Sequence, residues 1–575
     1  MSTKMYTISE FKGIDQSKSE NLLNPSYSPD ACNMDTEYGD LKIAKGYEKF
    51  IEDTFQVKMA YWPPTKLYVW RRKEKTHIIV TLYRDIEEES TGRLEWGAYD
   101  TSADTWVQIG GINIPLGSKP KCNFLEAEIN GKDYLIIGSG AYAMAKWGGG
   151  APGEEGSISA FGSLAGWWTI AAVASYADKV ITLNHEITQH QANRLVLAGV
   201  RVKNTTTHYD VESVDVAAKT ITLKTIPGTA PASGDSIAFS GGASQENTHL
   251  LAMHYGRLFA AGNIYDINPC RLYWSQVPGD YRSIEDWTAD DASPDTGGGF
   301  VDVGSQNDPI VGLCAMANQL LIFKRDSLYR LLGDRPSNFR IYKVNAEIEE
   351  MMPDSVIAYG DTPTWMTKAG MYYFDGQTAR RMPNADYIKK FLSGIDLSNC
   401  KGAENRDKLY FTAREGVGNV DNSVIVYDVL TRTYMIRRGF NVVDMFGAGG
   451  ILYMINDAGF VYKMETGDTY DGQPIEAYWN TPISDLNGKM ENKQNVRMYL
   501  RGSPESEAPV LIEAYVGKYV TEKRVPLPCS EYEVYEVPLA NEARVVSFKF
   551  SNEAGGYWEL KGGVQVEFSV SGGAG

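Results

Sequence analysis

The side chains best suited to chemistry are six histidines and three carboxylate runs. The histidines are His77, His185, His190, His208, His249 and His254. Zinc needs three or four ligands converging on one point, and the two near-spaced pairs, His185/His190 and His249/His254, bring no third ligand and fit no helical period. They read as surface or strand-packed residues. Glu87–Glu89, residues 290–295 and residues 347–350 are the carboxylate runs. Glycoside hydrolysis needs two carboxylates facing each other across a cleft, which adjacency in sequence does not supply. Glu87–Glu89 reads as a solvated hairpin tip and 347–350 as a connector. Segment 288–299, TADDASPDTGGG, alternates oxygen ligands as a calcium loop does, but its spacing departs from the EF-hand pattern. Nucleotide-binding and serine-nucleophile motifs are absent from the sequence. Trp167, Trp168, Trp274 and Trp287 could stack on sugars or bases, and packing between sheets is the plainer use for them. The sequence thus assigns no catalytic, cofactor-binding or metal residue and names no nucleic-acid contact.

The rest of the composition suits this picture. The 575 residues carry 56 Lys+Arg against 73 Asp+Glu, a net charge of −17. Holding nucleic acid takes a clustered basic surface, so an acidic chain is poorly equipped for it, though an acidic wall can stand beside DNA without gripping it. Cys32, Cys122, Cys270, Cys314, Cys400 and Cys529 lie far apart and read as reduced, mostly buried thiols. The opening MSTKMYTISEFKG shows no apolar signal run, which predicts a protein made without export. Residues 157–177 carry no charge over a length that could cross a bilayer. Their Ser, Gly and Thr content favours a packed linker, or an apolar tip touching a membrane or partner.

The elements that must position any site are strands. Gly (56) and Tyr (35) are abundant, and an aromatic strand recurs as KLYVW (66–70), DYLIIG (133–138), GRLFAAG (256–262) and NQLLIFK (318–324). It returns as GMYYFDG (370–376), DKLYFTA (407–413) and GILYMIN (450–456). Steps of 38 and 43 residues from Met371 to Leu409 to Leu452 are blade-sized, since four short antiparallel strands with their turns fill about forty residues. This predicts an all-β chain with a β-propeller core, a plain antiparallel sandwich being the alternative. Residues 1–147 would hold the N-terminal segment and first blades, and 148–245 an inserted small β domain. Residues 246–465 would hold the remaining blades and 466–575 a C-terminal β-sandwich-like domain.

Several stretches, in order, resemble the tail nozzle proteins of short-tailed bacteriophages, also called tail tubular protein B or head-to-tail stabilisation proteins. They are residues 11–47 (FKGIDQSKSENLLNPSYSPDACNMDTEYGDLKIAKGY), GRLFAAG with RLYWSQVPGDY and Trp287, and residues 301–334. Residues 353–376 and the YWNTPISDLNGK…KQNVRMYL stretch complete the set. The likeness spans roughly 8–60 and 250–500 and leaves the insertion outside. It implies a propeller with decorating β domains, in a six-membered ring of identical copies extending the portal–adaptor channel. The ring would retain packaged double-stranded DNA and pass it at infection without specific binding. Further implied partners are tail fibre or needle proteins, and the implied place is the virion tail, assembled in the host cytoplasm, with no enzyme activity and no cofactor. Two other readings are a carbohydrate-binding or glycosidase-like tail propeller for receptor recognition, and a host scaffold propeller.

Overall fold

A computed structural model describes the chain except residues 1, 58–61, 73–74, 119–120, 130, 142–143, 162–167, 176–178, 185–186, 188, 190–191, 193–194, 197–198, 203–207, 226–232, 234–235, 240–246, 266, 280–282, 288, 290–292, 345–347, 349, 488–490, 528–533, 553–554 and 571–575. The protein is all-β, and its chain forms two compact units, Gln56–Glu347 and Met1–Phe55 with Ile348–Gly575.

The first of these is built on four antiparallel meanders of four strands. They begin with Pro64–Arg71, Asn123–Ile129, Leu250–His254 and Ile310–Met316. Each first strand lies beside that of the next meander, the arrangement of propeller blades. Second strands are the driest: Arg257–Ala261 and Gln319–Lys324 are buried at every position. A strand covered on both faces keeps apolar residues at consecutive positions, which is why GRLFAAG and NQLLIFK stand out in the sequence.

The inserted region is a seven-stranded sheet between Trp168 and Phe239. Its strands Val180–Leu183 and Thr220–Leu223, VITL and TITL, pair directly, Ile181 opposite Ile221, and alternate in burial along each strand. Two expectations are corrected here. The proposed boundary at 147/148 cuts a meander, because Ser159–Ala160 pairs with Ala145–Trp147 as its fourth strand. The uncharged stretch is not a linker: it supplies that fourth strand and then Trp168–Ser175 of the inserted sheet, while 162–167 and 176–177 lie outside the described residues. Strands tolerate Ser, Gly and Thr on their turns and edges, so an uncharged run need not be helical. Among the described residues no helix is long and apolar enough to cross a membrane.

In the other unit three meanders start at Ile357, Gly402 and Asp444. Their spacing is therefore 45 and 42 residues. The period of 38 and 43 mixed two kinds of strand, since Met371 sits on a third strand (Gly370–Phe374) and Leu409 and Leu452 on second strands. Both inner positions of a meander are buried, and their compositions look alike. First strands again run side by side. Gly447 permits one such approach, as a Cβ there would stand 1.7 Å from the Glu404 carbonyl oxygen.

N-terminal residues do not form the first blade. Tyr47–Lys49 adds the fourth strand to the meander of 444–464, and Ser2–Ile8 pairs with Val564–Val570. Ala31–Cys32 pairs with Tyr478–Asn480, and Leu41–Ile43 with Glu559–Leu560. The C-terminal domain consists of a four-stranded and a five-stranded sheet, each including a strand from the first 35 residues. Trp479, Trp558, Phe550, Met498 and Val566 fill their shared core. Beyond residue 465, Thr469–Tyr470 still belongs to the sheet of the 444–464 meander, through its pairing with Tyr47. Chain ends that pair with each other are invisible to any reading that moves along the sequence.

Candidate functional site

The chemistry-bearing residues singled out from sequence are dispersed. His77 is buried between Trp70 and Trp147, with ring centroids at 6.0 and 5.1 Å. Burial, with Arg72 nearby, lowers its pKa to about 4, so it is a neutral packing residue near pH 7. His254 is buried against Tyr255 and Phe259, and His249 precedes the same strand. His208 opens a short strand, whereas His185 and His190 lie outside the described residues. Among the described residues no three His, Cys, Asp or Glu side chains form a metal-holding group.

Glu87–Glu89 forms an exposed turn at a hairpin tip. From the 290–295 run, Asp295 accepts the Ser337 N–H at 3.1 Å, and its carbonyl accepts the Arg257 guanidinium; 290–292 fall outside the described residues. Glu350 pairs with Lys368 in solvent, and Glu347 and Glu349 fall outside. Trp274 meets Phe339 edge-on and Trp287 is buried, so both pack; Trp168 lies in the inserted sheet and Trp167 is not described. Cys32, Cys122, Cys270 and Cys400 are buried free thiols and Cys314 is half-buried; Cys529 is not described.

Two ionic clusters and one cleft were not foreseen, and all three lie in the unit that contains both chain ends. In the first cluster Lys401, just before the first strand of one meander, pairs with Asp354, just before that of the preceding one. Asp444, at the start of the next first strand, adds its charge, as does Asp421. Burial alone would lower the Lys401 pKa, but these carboxylates outweigh it and carry the ammonium to about 12. Asp421 is buried, which raises its pKa, and it accepts the Thr412 hydroxyl. Asp421 is 4% exposed and held within its own meander, while the Lys401–Asp354 pair ties two meanders together.

The second cluster joins the N-terminal segment to the meanders. Asp35 receives Lys408 Nζ at 2.8 Å and lies 3.8 Å from Arg437, which also pairs with Glu465. Burial works against the Asp35 carboxylate, yet Lys408 and Arg437 hold its pKa below the usual value. Arg437 is 2% exposed at its side chain, so its charge depends on these partners. Alongside, the Asn33 amide donates to the Glu476 carbonyl at 2.7 Å and its oxygen accepts the Arg438 N–H at 2.8 Å.

The cleft, about 740 Å³, opens over the outer face of the five-stranded sheet. Strand alternation puts Tyr478 and Asn480, Ser547 and Lys549, and Tyr515 on that face, while Trp479, Phe548 and Ala514 point toward the core. Asn480 is directly opposite Lys549, and Tyr515 opposite Ser547. The far wall comprises Gln16, Glu20 and Asp30 from the N-terminal segment, a turn with Lys390, Phe391 and Ile395, and Glu415. The Tyr478 hydroxyl donates to Asp30 at 3.0 Å, and Glu415 accepts Arg438 Nε at 2.7 Å. No sequence signal could reveal this cleft, because its walls come from segments hundreds of residues apart.

No family model matches the chain, and no curated protein matches it. Similar solved structures include an exo-β-1,3-galactanase from Phanerochaete chrysosporium, 8% identical, covering 55% of this chain and 94% of that one at a TM-score of 0.22. PorZ, a surface component of the type-IX secretion system of Porphyromonas gingivalis, is 8% identical over 85% of this chain and 61% of its own, at 0.34. An acylaminoacyl peptidase from Pyrococcus horikoshii is 10% identical over 81% and 57%, at 0.29. Likenesses at these scores carry no argument about function.

Proposed function

We propose that this chain is a structural subunit of a short-tailed phage tail, a nozzle-type wall that extends the portal–adaptor channel. The observation supporting this most is the role of residues 11–47, the segment with the most continuous likeness to nozzle proteins. It is the seam of its unit: Phe11 meets Trp479 and Phe550 edge-on, Asp35 enters the buried ion network, and Tyr47 stacks on Tyr470. A packed and ion-paired joint of this kind makes its unit stiff, which a tube wall under load requires. The net charge of −17 suits the same role, because a wall that neutralised phosphates would release counterions and hold the DNA in place.

Incubating the purified protein with a portal–adaptor complex and imaging by negative stain tests the proposal. A six-fold density extending the open end is the expected result. Failure of that density to form, with a folded protein, would refute it.

The carbohydrate reading draws on the cleft, where aromatic, amide and carboxylate groups share one opening. A hydrolase would use two carboxylates there, and the candidates are Asp30 and Glu415. Both already accept hydrogen bonds from protein groups, which suits recognition better than proton transfer.

A further inference from the structure

We infer that the cleft over the outer sheet face is a binding site for a neutral oligosaccharide. This goes beyond the wall role and does not depend on it. Three features of the cleft select that ligand class.

The first is the kind of surface. A twisted sheet face holds side chains from neighbouring strands about 5 Å apart in a rigid row. Here that row offers Tyr478, Asn480, Ser547, Lys549 and Tyr515. Tyrosine rings pack against the C–H faces of a sugar, and amide and hydroxyl groups pair with its hydroxyls, which both donate and accept.

The second is unused hydrogen-bonding capacity. Among the described residues the side chains of Asn480, Ser547, Lys390 and Glu20 have no protein partner, whereas Gln16, Asp30, Glu415, Tyr478, Tyr515 and Lys549 are held in place. Gln16 donates to the Pro29 carbonyl and accepts the Phe391 N–H, each at 3.0 Å. Lys549 pairs with Glu513 at 2.7 Å, and the Tyr515 hydroxyl donates to the same carboxylate at 3.1 Å. Fixed walls with a few unspent polar groups are what a preorganised site requires.

The third is charge. Lys390 and Lys549 are set against Glu20, Asp30 and Glu415, so the opening is mixed in sign. A phosphate-rich ligand or nucleic acid would meet as much repulsion as attraction. A neutral polyhydroxylated ligand meets no such conflict, and a volume of about 740 Å³ lies within the range of pockets that enclose small ligands.

The test is saturation-transfer NMR and calorimetry on the full chain with two probes, maltotetraose and chitotetraose. Binding of either, weakened at least tenfold in Asn480→Ala and in Tyr515→Ala with the melting temperature unchanged, supports the site. The choice between probes tells plain hydroxyls from acetamido groups. If a variant unfolds, Asn480→Asp, nearly isosteric, replaces it and should weaken binding likewise. Binding of neither probe at millimolar concentration, or binding indifferent to these substitutions, overturns the inference. Ring formation on the portal–adaptor complex is scored separately, so the two proposals fail independently.

Discussion

The seam of the unit containing both chain ends and the meanders of residues 56–347 solve one problem in different ways. In the meanders each strand pairs with its neighbour in sequence, and the buried polar groups are held in separate contacts within that unit. His77 is kept neutral between tryptophans, Arg257 is spent on the carbonyls of Ser275, Gly297 and Asp295, and Lys146 pairs with Glu285 at 2.7 Å. In the seam, strands from the first fifty residues pair with strands more than four hundred residues later, and a network of full charges lies where they meet. Local hairpins close short loops, which costs little chain entropy. Joining distant chain ends costs more, and the buried ion pairs there bring a large penalty if one member is lost.

Breaking that network should therefore have the largest effect. Asp35→Ala leaves Arg437 with Glu465 alone and strips Lys408 of its partner; we expect a loss of about 4 kcal/mol in stability, read by denaturant unfolding. Asp35→Asn, nearly isosteric but uncharged, should recover only part of that loss, whereas a purely steric role would be fully rescued by it.

A pH titration probes the meanders. The folded pKa of His77, about 4, lies below the ordinary value near 6.5, so the unfolded state binds the proton more readily. Stability is fully present above about pH 6.5 and falls as pH drops toward 4, by about 3 kcal/mol from this residue. His254, also lowered by burial, adds in the same direction. His77→Phe should flatten the slope between pH 6.5 and 4; an unchanged slope would mean that other groups govern it.

Gly447→Ala should cost about 2 kcal/mol, because the first strands of two meanders must move apart to admit a methyl group. Gly418→Ala, in open space at a hairpin tip, serves as its control and should change little. The smallest effect belongs to Lys132→Ala. Its ion pair with Glu155 stands in solvent on both sides, and no shift in melting temperature is expected.

Strand identity was largely legible. Doubly buried strands such as Arg257–Ala261 and Gln319–Lys324 must be continuously apolar, and the two strands that pair at Ile181 and Ile221 betray themselves by alternation. The period was legible only approximately, because second and third strands of a meander share one composition. Glu87–Glu89 was readable as a solvated tip, since three adjacent acids cannot be buried without partners. The Lys401 and Asp35 networks were not readable, for each of their charges looks like an ordinary surface residue until its partner from another strand is known. Nor could the cleft be seen, as Asp30, Lys390, Tyr478 and Tyr515 become neighbours only through pairing across most of the chain.

What this sequence determines alone is which residues are strands and which faces of them are dry, because side-chain alternation and backbone hydrogen bonding are local requirements. Tertiary structure decided which strands meet, that the two chain ends share sheets, and hence where charges are buried and where a cleft opens. Those outcomes depend on burial and Coulomb energy between groups far apart along the chain, quantities that no stretch of the sequence contains by itself.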